Sequence, residues 1–354
     1  MAIGQTIYST AALLGVLRDE TQMQPPSSYW LDLCFPNILT FEEEYIDFGK
    51  ISDTRKIAPL VVPTAQGRPI YSAAERVARV KPAYVKPKDA VTATRMIQRA
   101  AGLGELNVNS NWSPQQRYNA IVADIMKAHR TAIERRWEWL AAQAVLYGAV
   151  TLEDENYPKA VVDFERAAGH SITHTAGNFW GDSGVKILRE VEAWKRIVRD
   201  APFGGPTNRL TVGSSAWEVM REDQEIIDML KLDMRPYNGG VNLNMGIREG
   251  LDVELVGTLS GTTPVYVCSD YYHAPNGSVV PFMDPRDVVL TGPNVRGVRC
   301  FGAIQDIDAQ LQAMAMFPKM WKQDDPSANF IMTQSAPLMV PVNPNNTLRA
   351  RVVA

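Results

Sequence analysis

The side chains that could carry chemistry in this sequence are few and dispersed. His170 and His174 stand four apart, a spacing that brings two imidazoles to one metal only on a helix, whereas Gly169, Ser171, Thr173 and Thr175 around them favour a loop or strand. No glutamate follows His170 to act as a general base. Asp306 with Asp308, and Asp324 with Asp325, have the composition of a carboxylate pair for acid/base work or Mg²⁺ binding, yet neighbouring acids in a turn are ordinarily solvated. Cys34, Cys268 and Cys300 are unevenly spaced, which is neither a disulfide framework nor a zinc ligand set, and they read as small core residues of a reducing compartment. The phosphate-cradling, dinucleotide-binding and nucleophile-elbow patterns are absent, and Gly204-Gly205-Pro206 reads as a turn. Asn111-Trp112-Ser113 and Asn276-Gly277-Ser278 read as chance matches to a glycosylation acceptor. No catalytic residue, metal site or cofactor is assigned, and the chain is not read as an enzyme.

Composition narrows the classes further. At 354 residues, 45% hydrophobic and 21% charged, the sequence is ordinary globular material with room for two domains. The apolar run from Leu140 to Val150 is broken by Gln143 and Gly148 and falls short of the roughly 20 residues of a bilayer helix, so no membrane partner is expected. The apolar patch Ala11 to Leu17 has no basic residue before it and is a poor secretory signal. Lys and Arg total 36 against 39 acids, so any contact with DNA must be local and non-specific.

The element that must position everything else lies between Ser113 and Gly148. Ser113 can accept from the orphan amides of a first helical turn, Pro114 gives up an N–H that would be unpaired there, and Gly148 offers a left-handed stop. Tyr118, Ile121, Val122, Ile125, Met126, Ile133, Trp137, Leu140, Ala144 and Val145 recur at helical spacing, with Ile121, Ile125, Trp137 and Leu140 the expected core of the spine. Such a helix would be on the order of 50 Å long, against a mean of about 11 to 12 residues in globular domains. The stripe drifts at period 3.6 and carries Ala and Trp where a coiled coil wants Leu, so a packed spine is favoured. Ile125 is expected to lie against a sheet supplied by Val161 to Phe164 and the C-terminal strands.

Residues before Phe41 read as an arm that docks on the body or on a neighbour. From Phe41 to Lys88 the prolines at 59, 63, 69, 82 and 87 confine any strands to edges or a two-stranded ribbon. Charge along it changes from Glu42, Glu43, Glu44 and Asp47 to Arg68, Arg76 and Arg79. Asp89 to Ala101 reads as a short helix, Ala160 to Phe164 as a strand, and Gly181 to Asp200 as an amphipathic helix. Leu210 to Val212 reads as a strand, and Ser215 to Glu218 has capping-box spacing for a helix reaching about Leu230. Strands are expected at Val253 to Val256, Val265 to Val267, Val288 to Leu290, Phe330 to Met332 and Leu338 to Val340, with a hairpin turn at Asn276-Gly277.

An ordered series of short segments resembles the lambda-like major capsid protein E family of tailed bacteriophages. It runs through Phe41-Glu42-Glu43-Glu44-Tyr45-Ile46-Asp47-Phe48-Gly49-Lys50, Ile57 to Leu60, Lys81 to Asp89 and Ala144 to Gly148. It continues through Val162-Asp163-Phe164, Leu210 to Trp217, Val280 to Phe282, Val288 to Leu290, Gly302 to Asp306 and Gln334 to Leu338.

The resemblance implies an α+β chain with the Hong Kong 97 phage capsid fold. An N-terminal arm would occupy 1–40 and an extended β-ribbon 41–90. A peripheral domain with the spine at 114–148 would occupy 91–175, an axial domain 176–299, and the chain would return to the peripheral domain over 300–354. It implies a structural role: hexamers and pentamers of the chain itself closing an icosahedral virion shell around double-stranded DNA, assembled in the bacterial cytoplasm. A separate scaffold, a portal and a decoration protein are the further partners. Arg68, Arg76, Arg79, Glu42, Glu43 and Glu44 are the expected contacts between subunits. No residues for a covalent cross-link are identified, and a decoration or tail component is the alternative reading.

Overall fold

The computed structural model describes residues 7–18, 28–43, 45–49, 77–92, 113–154, 157–226, 253–259, 263–274, 277–309, 312–325 and 327–354. Among the described residues, helices α1 (Thr10–Arg18) and α2 (Trp30–Cys34) precede the spine α3 (Pro114–Tyr147). Both ends of α3 are set by local chemistry. Ser113 Oγ accepts from Gln116 N at 3.2 Å while Gln116 Oε1 accepts from Ser113 N at 2.8 Å, a reciprocal capping box. At the other end Gly148 adopts φ 67°, and its N–H closes on the Ala144 carbonyl at 3.1 Å.

The spine buries different faces along its length. Its first half packs Tyr118, Val122, Ile125 and Met126 against Leu13 and Leu17 of α1 and against Val91, Met320 and Ile331. Those last three belong to a three-stranded antiparallel sheet of β4 (Lys88–Thr92), β15 (Phe317–Gln323) and β16 (Ala328–Gln334), with β16 central. Ile125 therefore meets C-terminal strands as expected, but not the Val161 to Phe164 strand. That segment is part of a hairpin, β5 (Ala149–Asp154) with β6 (Tyr157–Asp163), which turns back from the end of the spine. Val161 is 60% exposed, while Val162 and Phe164 reach the spine's second half beside Ile133, Trp137 and Leu140. Ile121 is only partly buried, at the margin of the first cluster.

The second half of α3 also packs on α2 and on a small sheet of β1 (Asn37–Thr40), β14 (Val298–Phe301) and β17 (Pro337–Val340), in that order, with β1 parallel to β14. The N-terminal segment thus docks on the body through both of its helices. Beyond it, β2 (Ile46–Gly49) and β3 (Val77–Val80) pair antiparallel with Asp47 opposite Arg79.

A further layer is a mixed six-stranded sheet: β7 (Ser171–Thr173), β18 (Thr347–Arg351), β13 (Asp287–Thr291), β8 (Arg209–Gly213), β10 (Thr263–Cys268) and β9 (Val253–Leu259), in that order. Strand alternation divides its faces. Leu210, Val212, Val288, Leu290, Leu348 and Ala350 meet α4 (Ile187–Asp200) and α5 (Ser214–Glu222) through Val191, Trp194, Ala216 and Met220. Val289 and Tyr266, on the opposite face, join the cluster around α2 and the spine.

Several expectations are corrected. Lys88–Thr92 is a strand rather than the start of a helix, because β16 supplies a ladder from 240 residues away, Ile331 opposite Asp89 and Phe330 opposite Ala90; residues 93–101 lie outside the described part. The helix expected from Gly181 begins at Ile187, after a turn in which Phe179 N is held by Asp182 Oδ2. The expected capping box at Ser215 does not form: Gly213 is the N-cap and no side chain caps the helix, which runs Ser214–Glu222. There β8 passes directly into α5 beneath the Pro285 carbonyl, which a Cβ on residue 213 would meet at 2.4 Å. Thr347–Arg351 lies second in the six-stranded sheet, between β7 and β13.

Candidate assembly surfaces

The residues considered for chemistry are held in structural contacts. His170 is buried with Nδ1 2.9 Å from the Thr347 carbonyl, and burial lowers its pKa; His174 Nδ1 meets the Asn178 carbonyl at 2.5 Å. Asp306 and Asp308 share Lys319, at 3.0 and 2.6 Å, and Gln334 Nε2 donates to Asp306 Oδ2 at 2.9 Å. Burial opposes ionisation of Asp306, but these donors outweigh it and hold the carboxyl below its usual range. Asp324 is paired with Lys322 at 2.7 Å on the surface, and the three cysteines are buried and form no disulfide. Among the described residues no group of His, Cys, Asp and Glu could hold a metal ion.

A buried carboxyl and a half-buried guanidinium instead join distant parts of the chain. Glu138, 1% exposed on the spine, accepts from the backbone nitrogens of Tyr29 and Trp30 on Oε1 at 2.9 and 2.7 Å and of Leu31 on Oε2 at 2.9 Å. These are orphan donors at the start of α2, which a carboxylate satisfies well. Burial nonetheless pushes its carboxyl up to about 7 against the pull of the three N–H groups. Tyr29 carries the link onward, its hydroxyl 2.7 Å from Thr211 Oγ1 in the six-stranded sheet. At the C-terminal end of the spine Arg166 donates to the Val145 and Leu146 carbonyls, both at 2.9 Å, to Ser171 Oγ at 2.6 Å and to Thr347 Oγ1 at 3.3 Å. It thereby satisfies carbonyls that a helix C-terminus leaves unpaired and places a cation at the negative end of the dipole. Neither role was visible in the sequence, since the partners of Glu138 and the Thr347 partner of Arg166 are more than 100 residues away.

What faces outward is of a different kind. All four residues of β1 are exposed, including Ile38 at 59% and Leu39 at 52%, so this edge strand is bare on both faces. It leads directly into Glu42, Glu43 and Tyr45, all exposed. Arg79 is exposed with its guanidinium 5.8 Å from the Tyr45 ring centre. Glu44, Arg68 and Arg76 lie outside the described residues. Trp137 and Leu140, expected in the spine core, are buried there. Between the spine and the β5–β6 hairpin opens a groove of about 190 Å³ lined by Tyr84, Trp139, Leu140, Leu152 and Tyr157, with Lys86, Arg136 and Glu153 among its walls.

The model of the phage major capsid protein E family matches residues 9–352. The chain is 28% identical over 358 residues to the major capsid protein of Enterobacteria phage P21, covering 98% of this chain and 99% of the relative. It is likewise 28% identical over 345 residues to the major capsid protein of Escherichia phage lambda, covering 96% and 97%. A crystal structure of a putative prophage capsid protein from E. coli CFT073 superposes with a TM-score of 0.73 at 23% identity, over 99% of this chain and 100% of the other.

The fold is therefore that of a tailed-phage shell subunit of the Hong Kong 97 type, an α+β architecture organised on a long spine helix. The chain belongs to the phage major capsid protein E family, and its role is structural.

Proposed function

We propose that this chain is the major head protein of a tailed phage, closing rings of six and five copies into an icosahedral shell around double-stranded DNA. The observation that supports the reading is the continuous family match over 9–352, which takes in docked arm, ribbon, spine and six-stranded sheet together. The expected segments serve as arm, ribbon, peripheral and axial domains, with Thr347–Arg351 joining the axial sheet. The chain works without catalysis. A separate scaffold, a portal and a decoration protein complete the head, and assembly proceeds in the host cytoplasm. No helix among the described residues is long and apolar enough to cross a membrane.

The ribbon acts between subunits in this reading. Arg68, Arg76 and Arg79 meet acidic surface on a neighbour, and Glu42, Glu43 and Glu44 meet basic surface, each exposed pair contributing at most about 1 kcal/mol. Repetition around a closed ring multiplies such small terms. Replacing residues 50–76 with a short Gly-Ser bridge tests this. A folded, soluble subunit of near-normal melting temperature that builds no shells is the expected product. Shells of normal yield, or an unfolded subunit, would refute the intersubunit role.

A further inference from the structure

The groove between the spine and the β5–β6 hairpin has the make-up of a small-molecule site. We propose that it binds a small planar aromatic compound carrying one anionic group. The inference is independent of the shell-forming reading, since it concerns a cavity within a single subunit.

Close packing leaves few voids larger than a water molecule in a protein, and a groove of about 190 Å³ is well beyond that scale. An engineered apolar cavity of about 150 Å³ is enough to take up benzene. The lining is built for a ring. Tyr84, Trp139 and Tyr157 reach the groove from three different segments, while Leu140 and Leu152, 2% and 6% exposed, line it from the core side. Rings that meet edge-on or in offset stacks gain more than the area they bury. Three partly exposed aromatic walls therefore favour a flat aromatic guest over an aliphatic one of the same size.

The walls are held in place by the protein itself. The Tyr84 hydroxyl donates to the Ala303 carbonyl at 2.6 Å. The next residue, Val85, is pinned to Ser335 by two backbone bonds of 2.8 and 3.0 Å. The Arg136 guanidinium lies over the Trp139 ring, 5.2 Å from its centre. A preformed site of this kind loses little ordering entropy when it is filled.

Charge selects the sign of the guest. Lys86 Nζ stands 4.9 Å from the Tyr84 ring centre, on an exposed side chain with no carboxylate partner among the described residues. Glu153, the acid among the lining residues, is already paired with Lys159 at 3.0 Å. A carboxylate on the guest thus meets an ammonium beside the ring on which the guest stacks, and the charge-assisted bond fixes its orientation.

The test titrates naphthalene carboxylate into the full-length chain by isothermal calorimetry, with the carboxamide as the uncharged isostere and cyclohexane carboxylate as the non-aromatic acid. Naphthalene carboxylate should give a saturable one-site isotherm, and each of the other two should bind roughly tenfold more weakly. Lys86→Met should weaken the acid by a similar factor and leave the carboxamide unchanged, whereas Tyr157→Ala should weaken both. Both side chains are at least partly exposed, so both variants should keep the circular dichroism and melting temperature of the unaltered chain. An absence of saturable binding to the unaltered chain, equal binding of the acid and its amide, or undiminished binding of the acid by Lys86→Met overturns the site.

Discussion

Oε1 of Glu138 lies 2.7 Å from the backbone nitrogen of Trp30, across 108 residues of sequence. Through this bond and its two neighbours a buried carboxylate fastens the N-terminal segment to the middle of the spine, and Tyr29 fastens the same segment to the six-stranded sheet. The helix α2 is thus a wedge held from both sides. Removing the acceptor by Glu138→Ala orphans three backbone donors, at about 1 to 3 kcal/mol for each unsatisfied group. A loss of several kcal/mol in denaturant unfolding of the soluble subunit is expected.

The same carboxylate makes stability depend on pH. Its pKa rises from an ordinary 4.5 to about 7 in the folded chain, so the folded state binds the proton more tightly. Its stabilising contribution is fully present below about pH 4.5 and is lost as pH rises through 7. The shift corresponds to something on the order of 3 kcal/mol. Glu138→Gln does not titrate, so its stability deficit against the unaltered protein should shrink between pH 4.5 and 7.5. A deficit that stays constant across that interval would contradict the assignment.

Arg166 and Gly148 together terminate the spine. A Cβ at residue 148 would come within 2.6 Å of the Arg166 Cβ, in a backbone conformation of φ 67° that side chains rarely adopt. Gly148→Ala should cost about 1 to 3 kcal/mol. Arg166→Lys, whose single ammonium cannot reach the same four acceptors, should cost a similar amount. Thermal unfolding of the two variants measures both.

Ile125→Asp places an unpaired carboxyl among Leu17, Met126, Met320 and Ile331. The expected penalty of several kcal/mol is comparable with a whole domain's stability of about 5 to 15 kcal/mol. Insoluble expression, or loss of the cooperative transition, is the predicted outcome. Soluble protein that assembles normally would refute the packing of the spine on β15 and β16.

The parts of this architecture that could be read in the sequence are those whose causes are local. Ser113, Pro114 and Gly148 fix the ends of the spine because capping involves residues three or four positions apart. Short apolar runs marked β8, β10, β13, β16 and β17, because the residues that each strand buries lie within a few positions of one another. The start of the helix expected from Asp89 misled, because Val91 also fits helical spacing and only the pairing of Lys88–Thr92 with β16 decides for a strand there. Gly213 displaced Ser215 as the cap through a close contact with Pro285, 72 residues later. Glu138 looked like one more solvated charge on the spine. Nothing near it in sequence announces three amides from α2. The acidic stretch stood out by composition, whereas the groove combines side chains from residues 83–86, the spine, the hairpin and β17.

The central claim is that copies of this chain close into a shell, and electron microscopy of the protein produced with its neighbouring genes measures that directly. The account predicts hollow particles of uniform diameter whose surface resolves into rings of six and five subunits, each subunit carrying the long spine helix. A product that remains monomeric at high concentration, or forms only open sheets and tubes in the presence of those neighbours, would contradict it.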